Sequence, residues 1–230
     1  MQPEILYQDR DLVVCVKPVG VLSQPDGKDG ETLMDLLAEV CAQSDGRPVH
    51  LHPVHRLDRG VGGVMVYAKN PTAAAKLSTA IQQNQLSKEY FALVHGVPAE
   101  NSGELRDLLF RDAGKNKTFV VNRLRKGVKE AVLDYRTLFA DGERALVLVH
   151  LHTGRTPQIR VQFASRKHPL WGDGKYGGSD NGCPIGLWSF RLKFSHPRTG
   201  EKLIFCAFPP AAKPWDTLDW TQITERSEGA

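Results

Sequence analysis

The sequence predicts an α+β fold in which a mixed, largely antiparallel sheet is flanked by a few helices. Three observations predict it: strand-like segments outnumber helical ones, hairpin-length links join successive strands, and no internal repeat or long linker divides the chain. With 230 residues, of which 41% are hydrophobic and 24% charged, the chain is long enough for a sizeable core and unlike a disordered protein.

The first elements are predicted from apolar spacing and from the residues that begin or end them. A buried strand is predicted at Leu12–Lys17, because Pro18 and Gly20 do not continue a strand. A helix follows, since apolar residues recur at helical spacing, namely Leu33, Leu36, Leu37 and Val40. Gly63–Ala68 is the second strand, and Asn70-Pro71 then has the capping chemistry of a helix start.

The rest of the chain predicts further strands and a tail. The strands are Tyr90–His95, Thr118–Val121, Ala131–Phe139, Arg144–Leu151, Leu187–Phe194 and Lys202–Phe208. We expect one domain over residues 1–208 and a tail over residues 209–230 that is rich in Pro and Trp. From Trp215 onward this tail carries four acids and one arginine, and we expect its last few residues to be disordered.

Composition excludes several classes of protein. The longest apolar runs, such as Leu12–Val16 and Ala145–Val149, are far shorter than the roughly 18–20 residues of a membrane helix. The first residues lack the pattern of a secretory signal, and the four cysteines are scattered, which argues against a disulfide framework or a zinc site. No glycine-rich nucleotide-binding motif is present. We therefore expect a cytoplasmic monomer without membrane, metal or cofactor.

Positive charge is concentrated in two basic runs. Six Lys or Arg and no acid lie between Lys115 and Lys129, and four more lie between Arg155 and Lys167, in a chain of net charge +4. Either run alone is typical of a solvated surface. Two runs beside the same candidate site are harder to explain in that way and favour a polyanion, such as a nucleic acid, as the partner.

A glycine-rich loop, His55–Gly63, is the densest candidate for chemistry. Asp58 lies in this loop directly before a predicted strand, where a ligand can approach the backbone closely. Taken alone, Asp58 is better explained as a turn cap or as a surface pair with Arg56 or Arg59.

Two further segments are weaker candidates. Thr156 and Pro157 predict a helix that begins at Pro157, so that Arg160 lies in the first turn. A cation there opposes the helix dipole and indicates an anionic partner, either a carboxylate or a phosphate. Tyr90 opens a predicted strand, where a tyrosine is usually part of the core.

Together these segments resemble the pseudouridine synthases, in particular the branch that acts on large-subunit ribosomal RNA. The motifs occur in the family's order and span Leu12 to Phe208. They are Lys17-Pro18-Val19-Gly20-Val21-Leu22, His55-Arg56-Leu57-Asp58, Lys88-x-Tyr90, Gly154-Arg155-Thr156, Gln158-Ile159-Arg160, Pro169, Gly172-Asp173 and Tyr176-Gly177.

The resemblance implies a sheet with a central active-site cleft and an enzyme that isomerises uridine in ribosomal or transfer RNA without cofactor or metal. It implies that Asp58 is the catalytic aspartate, Tyr90 lies beneath the flipped base, and Arg160 pairs with the aspartate. Arg56 matches the arginine that enters the space left by the base. Further substrate contacts are expected from His55, Arg155, Gln158 and Ile159, and from Arg123, Arg125 and Lys126 in the first basic run.

The sequence departs from the family pattern at a few places. Val61-Gly62 stands where Thr-Ser is usual, and Pro157 stands where His is common, which bears on substrate choice more than on catalysis. No small basic RNA-binding domain precedes Ile5, so we expect the catalytic domain itself to recognise RNA. Two alternatives stay open: a catalytically silent RNA-binding protein on the same scaffold, and a nucleoside or glycoside hydrolase, which would need two carboxylates.

Overall fold

The computed structural model describes residues 3–27, 30–178 and 182–228. In chain order the strands are β1 (Glu4–Gln8), β2 (Leu12–Lys17), β3 (His52–Pro53), β4 (Gly62–Ala68), β5 (Ser87–His95), β6 (Ser102–Asp112), β7 (Lys117–Val121), β8 (Val128–Ala140), β9 (Arg144–Leu151), β10 (Leu187–Ser195) and β11 (Lys202–Cys206). The helices are α1 (Leu33–Asp45), α2 (Pro71–Gln82), α3 (Gln158–Ser165) and α4 (Trp220–Glu228). Disorder was predicted for the last few residues; of these, residues 229 and 230 lie outside the described residues, and α4 extends to Glu228.

The chain divides into two compact units. The first comprises Met1–Lys88 with Trp188–Pro209, and the second comprises Glu89–Leu187 with Pro210–Ala230. The strand order is β1-β2-β4-β10 in the first unit, with β3 beside β4 and β11 beside β10, and β5-β9-β8-β6-β7 in the second. Neighbouring strands in each unit are antiparallel, except for the parallel pair β4 and β10. The predicted α+β class with a largely antiparallel sheet is confirmed.

The first unit has its core between the sheet and α2. Ala73 and Leu77 of α2 pack against buried side chains of β2 and β4, including Leu12 and Val64. The helix begins as predicted, because the Asn70 side chain accepts a hydrogen bond from the Ala73 N–H at 2.9 Å and Pro71 occupies the first helical position. Within the described residues, no helix combines the length and apolarity needed to cross a membrane.

In the second unit, α3 packs through Val161 against Leu109 of β6 and Ala131 of β8. This helix begins at Gln158, so the predicted start at Pro157 was wrong by one residue. The Gln158 N–H donates to the Arg155 carbonyl at 2.6 Å, and this turn leaves Pro157 with non-helical backbone angles. Arg160 nevertheless lies in the first turn, as predicted. The sequence did not predict β1, β3, β6 or α4.

Candidate active site

The loop that carries Asp58 is fastened to the first unit on both sides. On one side, the Ser23 hydroxyl accepts a hydrogen bond from the Leu57 N–H at 3.1 Å and donates one to the Leu57 carbonyl at 3.0 Å. On the other side, the Gly20 N–H donates to the Arg59 carbonyl at 2.8 Å, and Arg59 Nε donates to the Gly20 carbonyl at 2.9 Å. The backbone around Asp58 is therefore fixed, while its own side chain is half-buried.

Lys17 is fully buried beneath the same loop. Its Nζ donates to the carbonyls of Pro18 at 2.9 Å, Val21 at 2.6 Å and Arg59 at 3.3 Å. Burial lowers the pKa of Lys17 to about 8, while the charge of Asp58 opposes that shift. At neutral pH the Lys17 amine is mostly protonated. It therefore connects the segment of residues 18–21 with the loop of Asp58, and it places a positive charge near that carboxylate.

His55, a predicted substrate contact, is held inside the fold. Its Nε2 accepts a hydrogen bond from the Val66 N–H at 3.1 Å, while its buried Nδ1 has no hydrogen-bond partner among the described residues. Burial, with a smaller effect of the charge on Lys88, lowers the pKa of His55 to about 3. The imidazole is therefore neutral and attaches the start of the loop to β4. Its role in substrate binding stays a prediction.

Packing explains the unusual Val61-Gly62 pair. Gly62 lies opposite Trp188 in the parallel pair of β4 and β10. A Cβ atom at position 62 would collide with the indole of Trp188 and lie 2.9 Å from the Lys17 carbonyl oxygen. Gly63 has a φ of +115°, and a Cβ there would collide with the backbone of Ser189. The serine that the family usually has at position 62 therefore has no room beside this tryptophan.

Arg160, in the second unit, is bound by a fully buried carboxylate. Its Nε lies 2.7 Å from Asp173 Oδ2, and its Nη2 lies 2.8 Å from Oδ1. The anionic partner that the position of Arg160 indicated is thus a carboxylate. Sequence reasoning did not assign this role to Asp173, although the Gly172-Asp173 motif could have suggested it. The predicted pair of Arg160 with Asp58 stays a prediction.

Other predicted site residues in the second unit are largely buried. Tyr90 is 6% exposed and lies opposite Val149 in the pairing of β5 with β9. Gln158 is 3% exposed, and its side chain bonds to Thr153, to the Arg155 N–H and to the Val132 carbonyl. These bonds hold the start of α3. Ile159 on the same helix is also buried, and the predicted substrate contacts of both residues stay predictions.

The predicted phosphate contacts are exposed. Arg123, Arg125 and Lys126 lie in the loop of residues 122–127 between β7 and β8, which we call the basic loop. The Arg125 guanidinium lies 4.6 Å from the centre of the Phe110 ring, and Leu124 is 74% exposed. Exposed cations beside aromatic rings suit nucleic acid, since they contact both phosphates and bases.

Two further predicted RNA contacts, Arg155 and Arg56, are exposed and lie outside the basic loop. Arg155 is exposed and donates from Nε to the Glu130 carbonyl at 3.0 Å, which attaches it to β8 of the second unit. Arg56 is exposed on the loop of Asp58 in the first unit. Each therefore presents a cation at the surface of its own unit.

Two groups of described residues could hold a metal ion. Their ligand atoms lie within 4.8 Å of one another, and the groups are Asp134, His150 and His152, and Asp9, Asp11 and His196. Neither group includes Asp58, Tyr90 or Arg160. The Asp11 carboxylate already binds Asn70 at 3.0 Å and Arg198 at 2.6 Å. The candidate active site is therefore built from other side chains than these two groups.

Comparison with known proteins gives one family. The family model described as RNA pseudouridylate synthase matches residues 11–165. An uncharacterized RNA pseudouridine synthase of Aquifex aeolicus is 37% identical over 216 residues, covering 87% of this chain and 67% of that protein. One of Bacillus subtilis is 32% identical over 213 residues, covering 90% and 69%. The chain thus spans about two thirds of the length of these relatives.

Solved structures show the same fold. The human RNA Pseudouridylate Synthase Domain Containing 4 superposes with a TM-score of 0.76 at 24% identity, covering 98% of this chain and 93% of that one. The human RNA Pseudouridylate Synthase Domain Containing 1 gives a TM-score of 0.76 at 22% identity, covering 99% and 95%. At this identity the two structures bear on the fold alone.

Proposed function

The chain belongs to the RNA pseudouridylate synthase family, and we propose that it isomerises specific uridines in structured ribosomal or transfer RNA, with Asp58 as the catalytic carboxylate. The observation that carries the proposal is the fastening of the Asp58 loop by Ser23, Gly20 and Lys17. A fixed backbone around one half-buried carboxylate is the arrangement that a reacting group needs, because small misplacements are costly in rate.

The reaction requires one carboxylate and no added atoms. The bond between C1′ and N1 breaks, the uracil turns, and C5 joins C1′, while C5 loses one proton and N1 gains one. Breaking the glycosidic bond develops positive charge on the sugar, which a carboxylate stabilises or attacks. Asp58 performs this step, and the buried Lys17 places a positive charge near it.

The other predicted site residues act on the uridine around this step. Extrusion from a structured RNA costs a few kcal/mol, and the exposed Arg56 offsets part of that cost by entering the vacated space. Tyr90 offers an aromatic face to the extruded base and a hydroxyl near the C5 proton. Arg160 pairs with Asp58 through a guanidinium that Asp173 already orients.

The exposed cations bind the RNA backbone on either side of the uridine. Arg123, Arg125 and Lys126 supply positive charge that positions the RNA without reading its sequence, as phosphate contacts do. Sequence preference then comes from the shape of the RNA around an extruded uridine.

Tritium release tests the proposal. The purified chain is incubated with transcripts of large-subunit ribosomal RNA and of transfer RNA that carry tritium at C5 of uridine. We expect tritium in the water without free uracil, no release by Asp58→Asn, and full release by Glu39→Gln, an exposed carboxylate of α1. RNA binding without tritium release would support the silent RNA-binding alternative, and free uracil would support a hydrolase. Either result would overturn the proposal.

Mapping the pseudouridines in cellular RNA identifies which uridines the protein modifies. Pseudouridines in total RNA are compared between cells with and without the protein. We expect one or a few uridines in ribosomal or transfer RNA to lose the modification, and an Asp58→Asn chain not to restore it.

A further inference from the structure

We propose that Tyr176 is a positioning residue that fixes the guanidinium of Arg160 and joins it to β7, the strand that leads into the basic loop. The proposal rests on the proposed function, because it takes Arg160 to act in catalysis. Tyr176 belongs to the Tyr176-Gly177 motif, which has no role in the proposed reaction.

The side chain of Tyr176 contacts two elements of the second unit, α3 and β7. Its ring centre lies 5.3 Å from Arg160 Cζ of α3 and 5.1 Å from Lys117 Nζ of β7. Its hydroxyl oxygen accepts a hydrogen bond from the Thr118 N–H, also of β7, at 3.0 Å. One side chain therefore connects the candidate catalytic arginine with β7.

Asp173 and Tyr176 hold different parts of the same guanidinium. Asp173 binds Nε and Nη2 at its edge, and the Tyr176 ring lies near the guanidinium carbon. Both residues belong to one turn, in which the Asp173 carbonyl accepts the N–H of Tyr176 at 3.0 Å and that of Gly177 at 3.1 Å. The bidentate carboxylate fixes one edge of the guanidinium, and a ring held at a second point restricts its remaining movement further.

This arrangement links RNA binding at the basic loop to the orientation of the Arg160 guanidinium. The basic loop begins one residue after β7 ends at Val121. A phosphate that fixes this loop also fixes β7, and thereby the hydroxyl contact of Thr118 with Tyr176. Arg160 is then oriented most firmly when RNA is bound.

Two substitutions at position 176 separate the contributions of the ring and the hydroxyl. Tyr176→Leu removes both, and we expect the single-turnover rate to fall by about tenfold or more with RNA affinity within about twofold, because misoriented catalytic groups lose rate rather than binding. Tyr176→Phe keeps the ring, and we expect a loss of about threefold. The control is Tyr135→Phe, which removes a hydroxyl bound to the Glu100 carbonyl at 3.2 Å and should leave the rate unchanged.

Hydrogen exchange of the Arg160 Nε–H gives a readout that needs no activity. Its NMR signal is assigned by its loss in Arg160→Lys, and its exchange in the wild type is slowed by Asp173. We expect Tyr176→Leu to speed this exchange by about fivefold or more, and Tyr176→Phe to speed it less, as the ring stays near the guanidinium. Tyr135→Phe should not change it.

The two readouts separate failure of this proposal from failure of the proposed function. Unchanged rate and unchanged exchange in Tyr176→Leu would overturn the positioning role even if the wild type modifies RNA. If the wild type releases no tritium but the exchange responds as described, the proposed function fails while the contact of Tyr176 with Arg160 is supported. Should Tyr176→Leu fail to fold, Tyr176→Phe decides: no change in rate and none in exchange would overturn the proposal.

Discussion

The loop of Asp58 and the basic loop hold polar residues in opposite ways. On both sides of Asp58 the backbone forms hydrogen bonds, with the Ser23 hydroxyl, the Gly20 N–H and the buried Lys17 ammonium. In the basic loop the cations are exposed, and the described contact of Arg125 is with the face of an aromatic ring.

The difference fits the roles proposed for the two loops. A group that reacts at one atom must be held within a fraction of an ångström. Cations that follow a phosphate backbone act through longer-range electrostatics and tolerate movement. Changes near Asp58 should therefore alter rate or stability, and changes in the basic loop should alter RNA affinity.

The largest effect is expected from Asp58→Asn. The exchange removes the negative charge and keeps the shape, so turnover should fall by about 10⁴-fold or more while RNA affinity stays within a few-fold. Tritium release and filter binding on the same RNA measure the two quantities. A variant that keeps a tenth of the wild-type rate would exclude Asp58 as the catalytic group.

Ser23→Ala tests the fastening of the same loop. It leaves the Leu57 N–H and carbonyl without their buried partner, so the free energy of unfolding should fall by about 1–3 kcal/mol, and the turnover rate should fall as well. Urea unfolding gives the stability. Ser44→Ala, at an exposed position of α1, is the control and should change neither quantity. Equal stability of the two variants would mean that Ser23 does not hold the loop.

The basic loop is tested by replacing Arg123, Arg125 and Lys126 together with Ala. With a slope of about −0.7 per phosphate on single strands, three lost contacts should reduce the salt dependence of log affinity by about 2 and weaken all RNAs by about tenfold at moderate salt. Unfolding should not change. The matched control replaces the exposed Arg47, Lys202 and Lys213 with Ala. If both triple variants show the same slope, the basic loop is an ordinary solvated surface.

The smallest expected effect is on the pH dependence of stability, and it comes from His55. Burial lowers the pKa of His55 from 6.5 to about 3, so below pH 6.5 the unfolded chain binds a proton that the folded chain does not. The neutral His55 therefore does not lower the free energy of unfolding well above pH 6.5. Between pH 6.5 and 5.5 this free energy decreases by about 1 kcal/mol. His55→Gln should remove that part of the pH dependence, whereas His50→Gln, at an exposed position, should not. Identical pH profiles for the wild type and His55→Gln would contradict the burial of a neutral imidazole.

Local sequence signals predicted the elements that have clear boundaries. β9 has the predicted bounds, Arg144–Leu151, because its apolar run follows the turn at Asp141-Gly142. β6 was missed because five charged residues lie among its 11 and its apolar residues do not alternate. Pairing with β7 on one edge and β8 on the other stabilises it despite its composition. α4 was missed because the preceding prolines suggested a tail, although Trp220 packs on Phe91.

The motifs nominate Asp58 and Arg160 as site residues, and that assignment stays a prediction. The contacts that hold the two side chains could not be predicted from the sequence. The partners that hold them come from other parts of the chain, since Lys17 lies 42 residues from Arg59 and Arg160 lies 13 residues from Asp173. No local pattern reports such contacts, because they arise only when the strands and helices pack together.

The contact of Gly62 with Trp188 has a consequence for the evolution of this chain. Trp188 also donates from Nε1 to the Ala207 carbonyl at 2.7 Å, so it cannot turn aside without losing that bond. Gly62→Ser alone should therefore be harmful, and it should be less harmful once Trp188 has been replaced by a smaller residue, although the added Cβ would still lie 2.9 Å from the Lys17 carbonyl oxygen. The two positions are epistatic: a larger residue at position 62 costs more stability while the tryptophan is present.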